Sequence, residues 1–437
     1  MKKITAFILL YLFSLSSFAD DLLSVYHLAL QNDPQFQAAQ ADYRAQLESK
    51  NQSVAVMLPN ISVSAHNTEH DAESTSSGMM TPYEYSSNGY NLNLTQPIYR
   101  HANFVGLTQA DAQVAQAEAT FENSKQDLIL RVTTQYFAAL AAKDDLAFAI
   151  AERKSILEQL IQTQQRFNVG LIAITDVHEA QARADQAVAR AIVAQNTLDI
   201  SRETLREITA TDHQILATLS TELPLVGPEP ADIQEWAKTA GAQNALLTAS
   251  IKAVDVARAE VSRQQSSHYP TLDLTANRTY TNYTDGVSPL GESERNDTSV
   301  SLQLNVPLYQ GGLVNSRTRA AEYRLTQARE RLEQQRRATE RQTRNSYLSV
   351  IASISTVKAL KQALASSTIA LEATQAGFEV GTRTAIDVLD SQRALFGARR
   401  DYARVRYNYV LETLKLKLAA GTLSKADLEK LNPWLNN

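Results

Sequence analysis

Two long stretches of the chain carry apolar residues at helical spacing and contain no proline. No proline occurs between Pro97 and Pro224, or between Pro307 and Pro433. A proline inside a helix costs about 3 kcal/mol, so its absence over these lengths permits very long helices. At about 1.5 Å per residue, a continuous helix over 98–169 would be roughly 100 Å long.

The apolar spacing within these stretches is that of a coiled coil. Intervals of three, four and seven residues place apolar side chains in one seam along a helix. The residues at these intervals are Val114, Phe121 and Leu128 in the first stretch, and Tyr347, Val350, Ile354, Val357 and Leu364 in the second. The sequence therefore predicts long helices that pack lengthwise against other helices.

Apolar and polar residues alternate in two pairs of segments, at about 59–97 and 270–307. Alternation over about ten residues is typical of transmembrane β-strands, although half-buried strands of soluble sheets share it. Loops at 73–82 and 285–296 separate the two segments of each pair. The alternating apolar residues are Ile61, Val63, Ala65, Tyr90, Leu92 and Leu94 in the first pair, and Leu272, Leu274, Ala276, Val300, Leu302 and Leu304 in the second.

The chain repeats itself at an offset of 210 or 211 residues. The matching elements are Pro59 and Pro270, LTQPIY at 94–99 and LNVPLY at 304–309, and FNVG at 167–170 and FEVG at 378–381. Three matches at nearly one offset across half the chain indicate two tandem copies of one structural unit.

We therefore predict two structural repeats after a signal peptide. Residues 1–19 combine a basic start, an apolar run and a small-x-small cleavage site, which is the pattern of a secretory signal. The first repeat, 20–228, is expected to contain a helix, the strand pair at about 59–97, a helix at 98–169, a turn and a helix at 176–211. The second repeat, 229–437, is expected to contain a helix at 231–267, the strand pair at about 270–307, a helix at 312–377, a turn, a helix at 384–419 and a short C-terminal tail.

The strand count points to an oligomer. After residue 19, no stretch approaches the roughly 20 apolar residues of a transmembrane helix, so a place in a membrane would require β-strands. A membrane sheet must close to satisfy its backbone hydrogen bonds, and four strands are too few to close. Two chains would supply eight strands around a filled interior, whereas three would supply twelve strands and a lumen.

Composition excludes several other classes of protein. The chain has no cysteine, which excludes a disulfide framework and cysteine-based metal sites. A net charge of −5 gives no overall attraction to nucleic acid. No nucleophile elbow, phosphate-binding loop or His-Glu-x-x-His helix occurs, so we expect neither an enzyme nor a cofactor.

Four segments resemble the TolC family of outer-membrane efflux proteins. They are RFNVGLIAITDV at 166–177, VPLYQGG at 306–312, VGTRTAIDVLD at 380–390 and the C-terminal segment 406–432. The resemblance implies a mixed α+β membrane protein with internal duplication. Its fold would be a homotrimeric 12-stranded outer-membrane β-barrel, with four strands per chain, continued by a long periplasmic α-helical coiled-coil barrel.

The same resemblance implies a function and partners. The protein would be the outer-membrane exit duct of tripartite efflux pumps and type I secretion systems, a passive conduit for drugs, proteins or both. A periplasmic adaptor (membrane fusion) protein and an inner-membrane RND or ABC transporter would be its partners, and outer-membrane lipid would surround the barrel. The main alternative is a periplasmic coiled-coil adaptor or scaffold, which would normally have one helical hairpin between soluble β-domains.

Asp387 and Asp390 are the candidate constriction ring. They are three residues apart, so on a helix they share one face. By themselves they would be two solvated surface carboxylates. The resemblance instead places them at the periplasmic mouth, where three chains would gather six carboxylates, raise some of their pKa values and bind blocking cations, without a structural metal site.

Four residues are candidate gate links by the same resemblance: Thr175, Asp176, Phe378 and Arg383. An ion pair between Asp176 and Arg383 is reasonable, although an exposed pair contributes only about 0–1 kcal/mol. Phe378 replaces the family's linking tyrosine and has no hydroxyl to donate. The closed state is therefore expected to depend more on Arg383.

The tips of the two helical turns are candidate adaptor-docking sites. They are formed by Val169 and Gly170 in the first repeat and by Val380 and Gly381 in the second. The glycines also suit the left-handed turn that ends many helices. Both interpretations are compatible with each other.

Overall fold

The structure is a computed structural model that describes residues 20–76, 78–220, 222–284 and 292–436. The predicted signal peptide, at 1–19, lies outside this part of the chain. The elements of the first repeat are α1 Leu22–Asn32, α2 Pro34–Ala55, β1 Asn60–Ser76, β2 Met79–Arg100, α3 His101–Asn168, α4 Ile174–Thr209 and β3 Thr218–Leu219. Those of the second are α5 Ile233–Gln243, α6 Ala245–Gln265, β4 Thr271–Thr284, β5 Ser293–Asn305, α7 Leu313–Glu379, α8 Ala385–Ala420, α9 Lys425–Leu431 and β6 Leu435–Asn436.

The chain divides into two compact units. The first unit contains the residues up to Ala39, Asn123–Asn244 and the residues from Ala338 onward, and the second contains Gln40–Glu122 and Ala245–Arg337. The four-stranded sheet lies in the second unit, whereas both helical turns lie in the first. The first unit also contains the largest fully buried apolar side chains: Leu22, Leu128, Tyr136, Phe137, Leu140, Leu205, Leu416 and Leu428.

Each repeat begins with two helices, although the sequence predicted one. Asp33 separates α1 from α2, and Asn244 separates α5 from α6, 211 residues later. Both residues have extended backbone angles and are at most 9% exposed. The prediction of one helix over 231–267 was wrong because apolar periodicity continues across a break of one residue. Pro34 disfavours helical geometry at the residue before it and so accounts for the first break.

The β1–β2–β4–β5 sheet is antiparallel throughout. Its apolar residues lie on one face: Ile61 is opposite Leu94, and Val63 is opposite Leu92. Ile61, Val63 and Leu92 are exposed, up to 70% for Val63, and Leu94 is half-buried. The outer edges of β1 and β5 pair with no other strand in the part of the chain that the structure describes. One chain therefore leaves two open edges beside an exposed apolar face.

The strand hairpins are longer than predicted. β1 continues to Ser76 and β2 begins at Met79, so most of the predicted loop at 73–82 is paired strand. In the second repeat β5 begins at Ser293, inside the loop predicted at 285–296, and 285–291 lie outside the described residues. The predicted loops were too long because backbone pairing continues through Ser- and Asn-rich segments that carry no apolar alternation.

The first strand pair also continues past its proline. β2 runs beyond Pro97 to Arg100, with a shift in register between Pro97 and Tyr99. A bulge accommodates a residue that has no N–H to donate to the ladder. α3 therefore begins at His101, and the helix start predicted at 98 was wrong.

By length and composition, α7 contains one segment that is apolar enough to cross a membrane. This finding contradicts the prediction that no later stretch approaches a transmembrane helix. However, α7 has 67 residues and is roughly 100 Å long. That length is far greater than the roughly 30 Å hydrocarbon core of a bilayer. Within one chain, 11% of the apolar segment is buried.

A buried ion pair stabilises the break between α1 and α2. The Asp33 carboxylate is 3% exposed, accepts a hydrogen bond from the Phe36 N–H at 3.0 Å, and lies 2.5 Å from Nη2 of Arg131. Arg131 also contacts Asp127, whose side chain is 40% exposed. Asp33 therefore ends one helix, caps the next, and attaches both to α3.

We expect Arg131→Met to lower the free energy of unfolding by about 3–5 kcal/mol, because it leaves the buried Asp33 carboxylate without its cation. Thermal or denaturant unfolding of the detergent-solubilised protein measures the loss. Asp127→Asn is the matched control and should cost at most about 1 kcal/mol, since it removes the exposed partner of the same arginine. Equal losses in the two variants would contradict the argument from burial.

Candidate functional site at the helical turns

The turns between α3 and α4 and between α7 and α8 have matching backbones. Gly170 and Gly381 adopt φ angles of 77° and 80°, a left-handed conformation that favours glycine. The N–H of each glycine donates to the carbonyl three residues earlier, at 2.8 Å and 3.2 Å. Val169 and Val380 precede them and are 70% and 76% exposed. The glycines therefore end their helices, and each turn presents an exposed valine at its tip.

Phe378 is an inward-facing residue of the second turn. Its ring is 9% exposed and packs with Ala385 and Val388. The guanidinium of Arg166, from the last turn of α3, lies 4.1 Å from the centre of the ring. A cation–π contact of this kind contributes about 0.5–1 kcal/mol at a partly exposed site. Sequence analysis missed Arg166 because no spacing rule relates residues this far apart.

Asp387 caps its own helix. Its carboxylate accepts hydrogen bonds from the N–H and the hydroxyl of Thr384, both at 2.9 Å. The Asp387 N–H in turn donates to the Thr384 hydroxyl oxygen at 3.2 Å, which completes a capping box. The backbone hydrogen bond from Thr384, with the hydroxyl and the charge of Arg383, holds the pKa of Asp387 below its usual value. This lowering of the pKa within one chain is opposite to the rise in pKa that is expected in a ring of carboxylates.

Asp390 makes a different contact. Its carboxylate lies 3.0 Å from a guanidinium nitrogen of Arg183 on α4. The side chains are 55% and 32% exposed, so water screens part of their attraction. Asp387 and Asp390 thus lie near the start of one helix, as predicted, but among the described residues only Asp390 has a cationic partner on another helix. Sequence analysis also missed Arg183, which has no counterpart at the equivalent place in the second repeat, where Ala394 stands.

The remaining predicted gate residues line the turns. Thr175 is exposed in the first turn of α4, beside the half-buried Asp176. Arg383 is exposed and lies next to Gly377, where an added Cβ would be 2.8 Å from the Arg383 Cγ. No ion pair joins Asp176 to Arg383 within the described part of the chain. The predicted pair is therefore not formed within one chain, and a link between neighbouring chains stays a prediction.

A single chain offers little to a metal ion or cofactor at this site. Among the residues described, no three side chains of His, Asp or Glu are grouped closely enough to hold a metal. Two carboxylates, one of them paired with Arg183, do not make a closed ligand set. Carboxylates from several chains would be needed to hold a cation between them.

Comparison with known proteins identifies the family. The family described as Outer membrane efflux protein matches residues 25–211 and again residues 236–422. The two matches are offset by 211 residues, the period found within the sequence. The chain belongs to the outer membrane efflux protein family. Its internal duplication is thereby confirmed.

Individual relatives align with nearly the whole chain. Outer membrane protein TolC of Vibrio cholerae serotype O1 is 37% identical, with coverage of 100% of this chain and 99% of that protein. The alkaline protease secretion protein AprF of Pseudomonas aeruginosa is 31% identical, with coverage of 94% and 87%. The crystal structure of the Campylobacter jejuni CmeC outer membrane channel superposes with a TM-score of 0.76 at 14% identity, with coverage of 95% and 90%.

The family and the fold agree. The family is described as an outer membrane efflux protein, TolC is named an outer membrane protein, and CmeC is described as an outer membrane channel. The mixed α+β fold class and the outer-membrane location predicted for the chain are therefore confirmed.

Proposed function

We propose that this protein is the outer-membrane exit duct of tripartite efflux pumps and type I secretion systems, a passive conduit with a gated periplasmic entrance. The observation that carries the proposal is the repeated match to one channel family across both halves of the chain. Relatives named for efflux and for protease secretion support both kinds of export. We infer no catalytic role, since these relatives are channel and secretion proteins.

The sheet supports a trimer in the membrane. Its open β1 and β5 edges would leave backbone groups without partners in lipid, where each such group is costly. Pairing β5 of one chain with β1 of the next satisfies both edges. Three chains then give twelve strands and an open lumen, whereas two chains would give a filled barrel. The exposed apolar face of the sheet would contact lipid.

A periplasmic adaptor or scaffold is the weaker alternative. In a soluble adaptor, a sheet with one exposed apolar face and two open edges would leave apolar side chains and backbone groups uncovered. The exposed valines of the turns, Val169 and Val380, instead suit docking by an adaptor that links this duct to an inner-membrane RND or ABC transporter. Gly170 and Gly381 would give both docking tips the same backbone geometry.

The proposed gate is formed by contacts between chains at the turns. Arg383 would reach Thr175 and Asp176 of a neighbouring chain, because it has no ion pair in its own chain within the described residues. Asp387 and Asp390 from three chains would narrow the entrance and attract cations. The turns are suited to this role because both are short, and the capping box of Thr384 and Asp387 fixes the start of α8.

We expect the processed protein to fractionate with outer membranes, to run as a trimer in mild detergent, and to conduct ions in planar bilayers. Native mass spectrometry gives the number of chains, and bilayer recording tests conduction. A periplasmic marker protein followed through the same fractionation controls for trapped soluble protein. A soluble monomer without channel activity would contradict the proposal and favour the adaptor alternative.

A further inference from the structure

One arginine of the sheet lies on the face that meets lipid. Successive residues of a strand point to opposite faces, so Arg278 of β4 shares a face with Leu274 and Ala276. Its neighbours in the adjacent strands are Leu92 on β2 and Thr298 on β5. Arg278 is exposed. In a closed barrel it would therefore point outward, at the edge of the apolar band.

Aromatic residues mark where this band ends. Tyr90 and Tyr280 are cross-strand neighbours whose ring centres are 5.6 Å apart. Toward the helical end of the sheet, the exposed Tyr99 lies opposite Leu272. The eight residue steps from 272 to 280 span roughly 20 Å for a strand tilted by about 40°, close to the roughly 25 Å apolar band of membrane barrels. Tyrosines at both ends suit the two membrane interfaces.

The Tyr90–Tyr280 end is the extracellular end. The strands join α2, α3, α6 and α7 at their other end, and helices of this family extend into the periplasm. Arg278 lies two residues, roughly 5 Å, inside the tyrosine pair. A long basic side chain spans that distance and places its charged head among the lipid headgroups.

Arg278 also lacks a partner of its own. Across the described ranges it has no ion pair and no side-chain hydrogen bond. By contrast, Arg100 in the same sheet is paired with Asp273 through two hydrogen bonds of 2.8 Å. Glu294 shares the outward face but lies opposite Asn282, and its carboxylate accepts a hydrogen bond from Tyr280 rather than pairing with Arg278. The charge of Arg278 is therefore available to an anion from the surroundings.

We propose that Arg278, with Tyr90, binds a phosphate group of the glycolipid that forms the outer leaflet of the outer membrane. A guanidinium binds phosphate through two parallel charge-assisted hydrogen bonds. The Tyr90 hydroxyl donates to the phosphate or the adjoining sugar, whereas the Tyr280 hydroxyl is hydrogen-bonded to Glu294, and both rings remain in the apolar layer. Asn296 and Thr298 on β5 supply further polar groups on the same face. A trimer carries three such sites around its rim.

Native mass spectrometry of the full-length trimer, titrated with diphosphorylated lipid A, tests the proposal. Wild type is expected to bind up to three molecules tightly. Arg278→Ala and removal of the lipid phosphates should each weaken binding about tenfold or more, as expected for loss of a charge-assisted contact. Tyr90→Phe should weaken binding less. Arg295→Ala is the matched control, because Arg295 lies opposite Thr281 on the other face of the sheet.

Several outcomes would overturn the proposal. Unchanged binding by Arg278→Ala, or an equal loss in Arg295→Ala, would show that Arg278 is not the phosphate ligand. Equal binding of phosphatidylglycerol would show that any anionic lipid suffices. The proposal rests on the outer-membrane channel role, so conductance is measured on the same samples. A wild-type trimer that conducts but does not bind the lipid would contradict only this inference. If Arg278→Ala does not assemble, Arg278→Gln replaces it in the titration.

Discussion

Replacing both Asp387 and Asp390 with alanine is expected to abolish block of the channel by divalent or trivalent cations added on the periplasmic side. Three chains would bring six carboxylates to one constriction, and cations bind where like charges converge. Single-channel recording in planar bilayers measures the block. Asp185→Asn, which removes an exposed carboxylate from α4, is the control. Undiminished block in the double variant would place the cation site elsewhere.

The ion pair between Arg183 and Asp390 predicts that the two aspartates contribute unequally to the block. Because Arg183 offsets the charge of Asp390 in each chain, Asp387→Asn should relieve the block more than Asp390→Asn. Arg183→Gln should strengthen the block, since it frees the Asp390 carboxylate. The contacts with Thr384 and Arg383 lower the pKa of Asp387 within one chain, whereas like charges in the ring raise it, so the pH at which block is lost shows which effect is larger in the trimer. Equal effects of the two asparagine variants would contradict the role of Arg183.

Arg383→Ser is expected to raise single-channel conductance and to admit large antibiotics that wild type excludes. Each exposed contact of Arg383 with a neighbouring chain contributes at most about 1 kcal/mol, but three symmetric copies act on the same opening. Together they approach about 3 kcal/mol, roughly a hundredfold shift in the ratio of closed to open channels. Bilayer recording and antibiotic susceptibility in cells measure the two effects.

Three further variants test whether Arg383 itself holds the gate. Phe378→Tyr should lower conductance, because its hydroxyl restores the hydrogen bond to Asp176 expected from the family. Gly377→Ala should raise conductance partially, since the added Cβ displaces Arg383 while its charge remains. Arg166→Gln removes the cation above the Phe378 ring. If Arg383→Ser conducts like wild type and only Arg166→Gln opens the trimer, packing at Phe378 holds the gate instead.

The sequence predicted those parts of the fold that depend on local pattern. Coiled-coil spacing without proline gives the long helices, and alternation gives strands whose apolar residues, such as Ile61 and Leu94, share one face. Repetition at 211 residues revealed the duplication, because two copies of one unit keep the same turn chemistry at Gly170 and Gly381. Each of these features can be found within a short segment or by comparing two short segments of the sequence.

Only the tertiary structure decided which side chains meet. Asp387 and Asp390 are indistinguishable by spacing, yet one binds its own helix cap and the other binds Arg183, 207 residues earlier in the chain. The contact of Arg166 with Phe378 has no sequence signal either. The physical reason is that helical periodicity specifies the face on which a side chain lies, whereas its partner depends on how distant helices pack. The charge available at the proposed gate is therefore set by that packing.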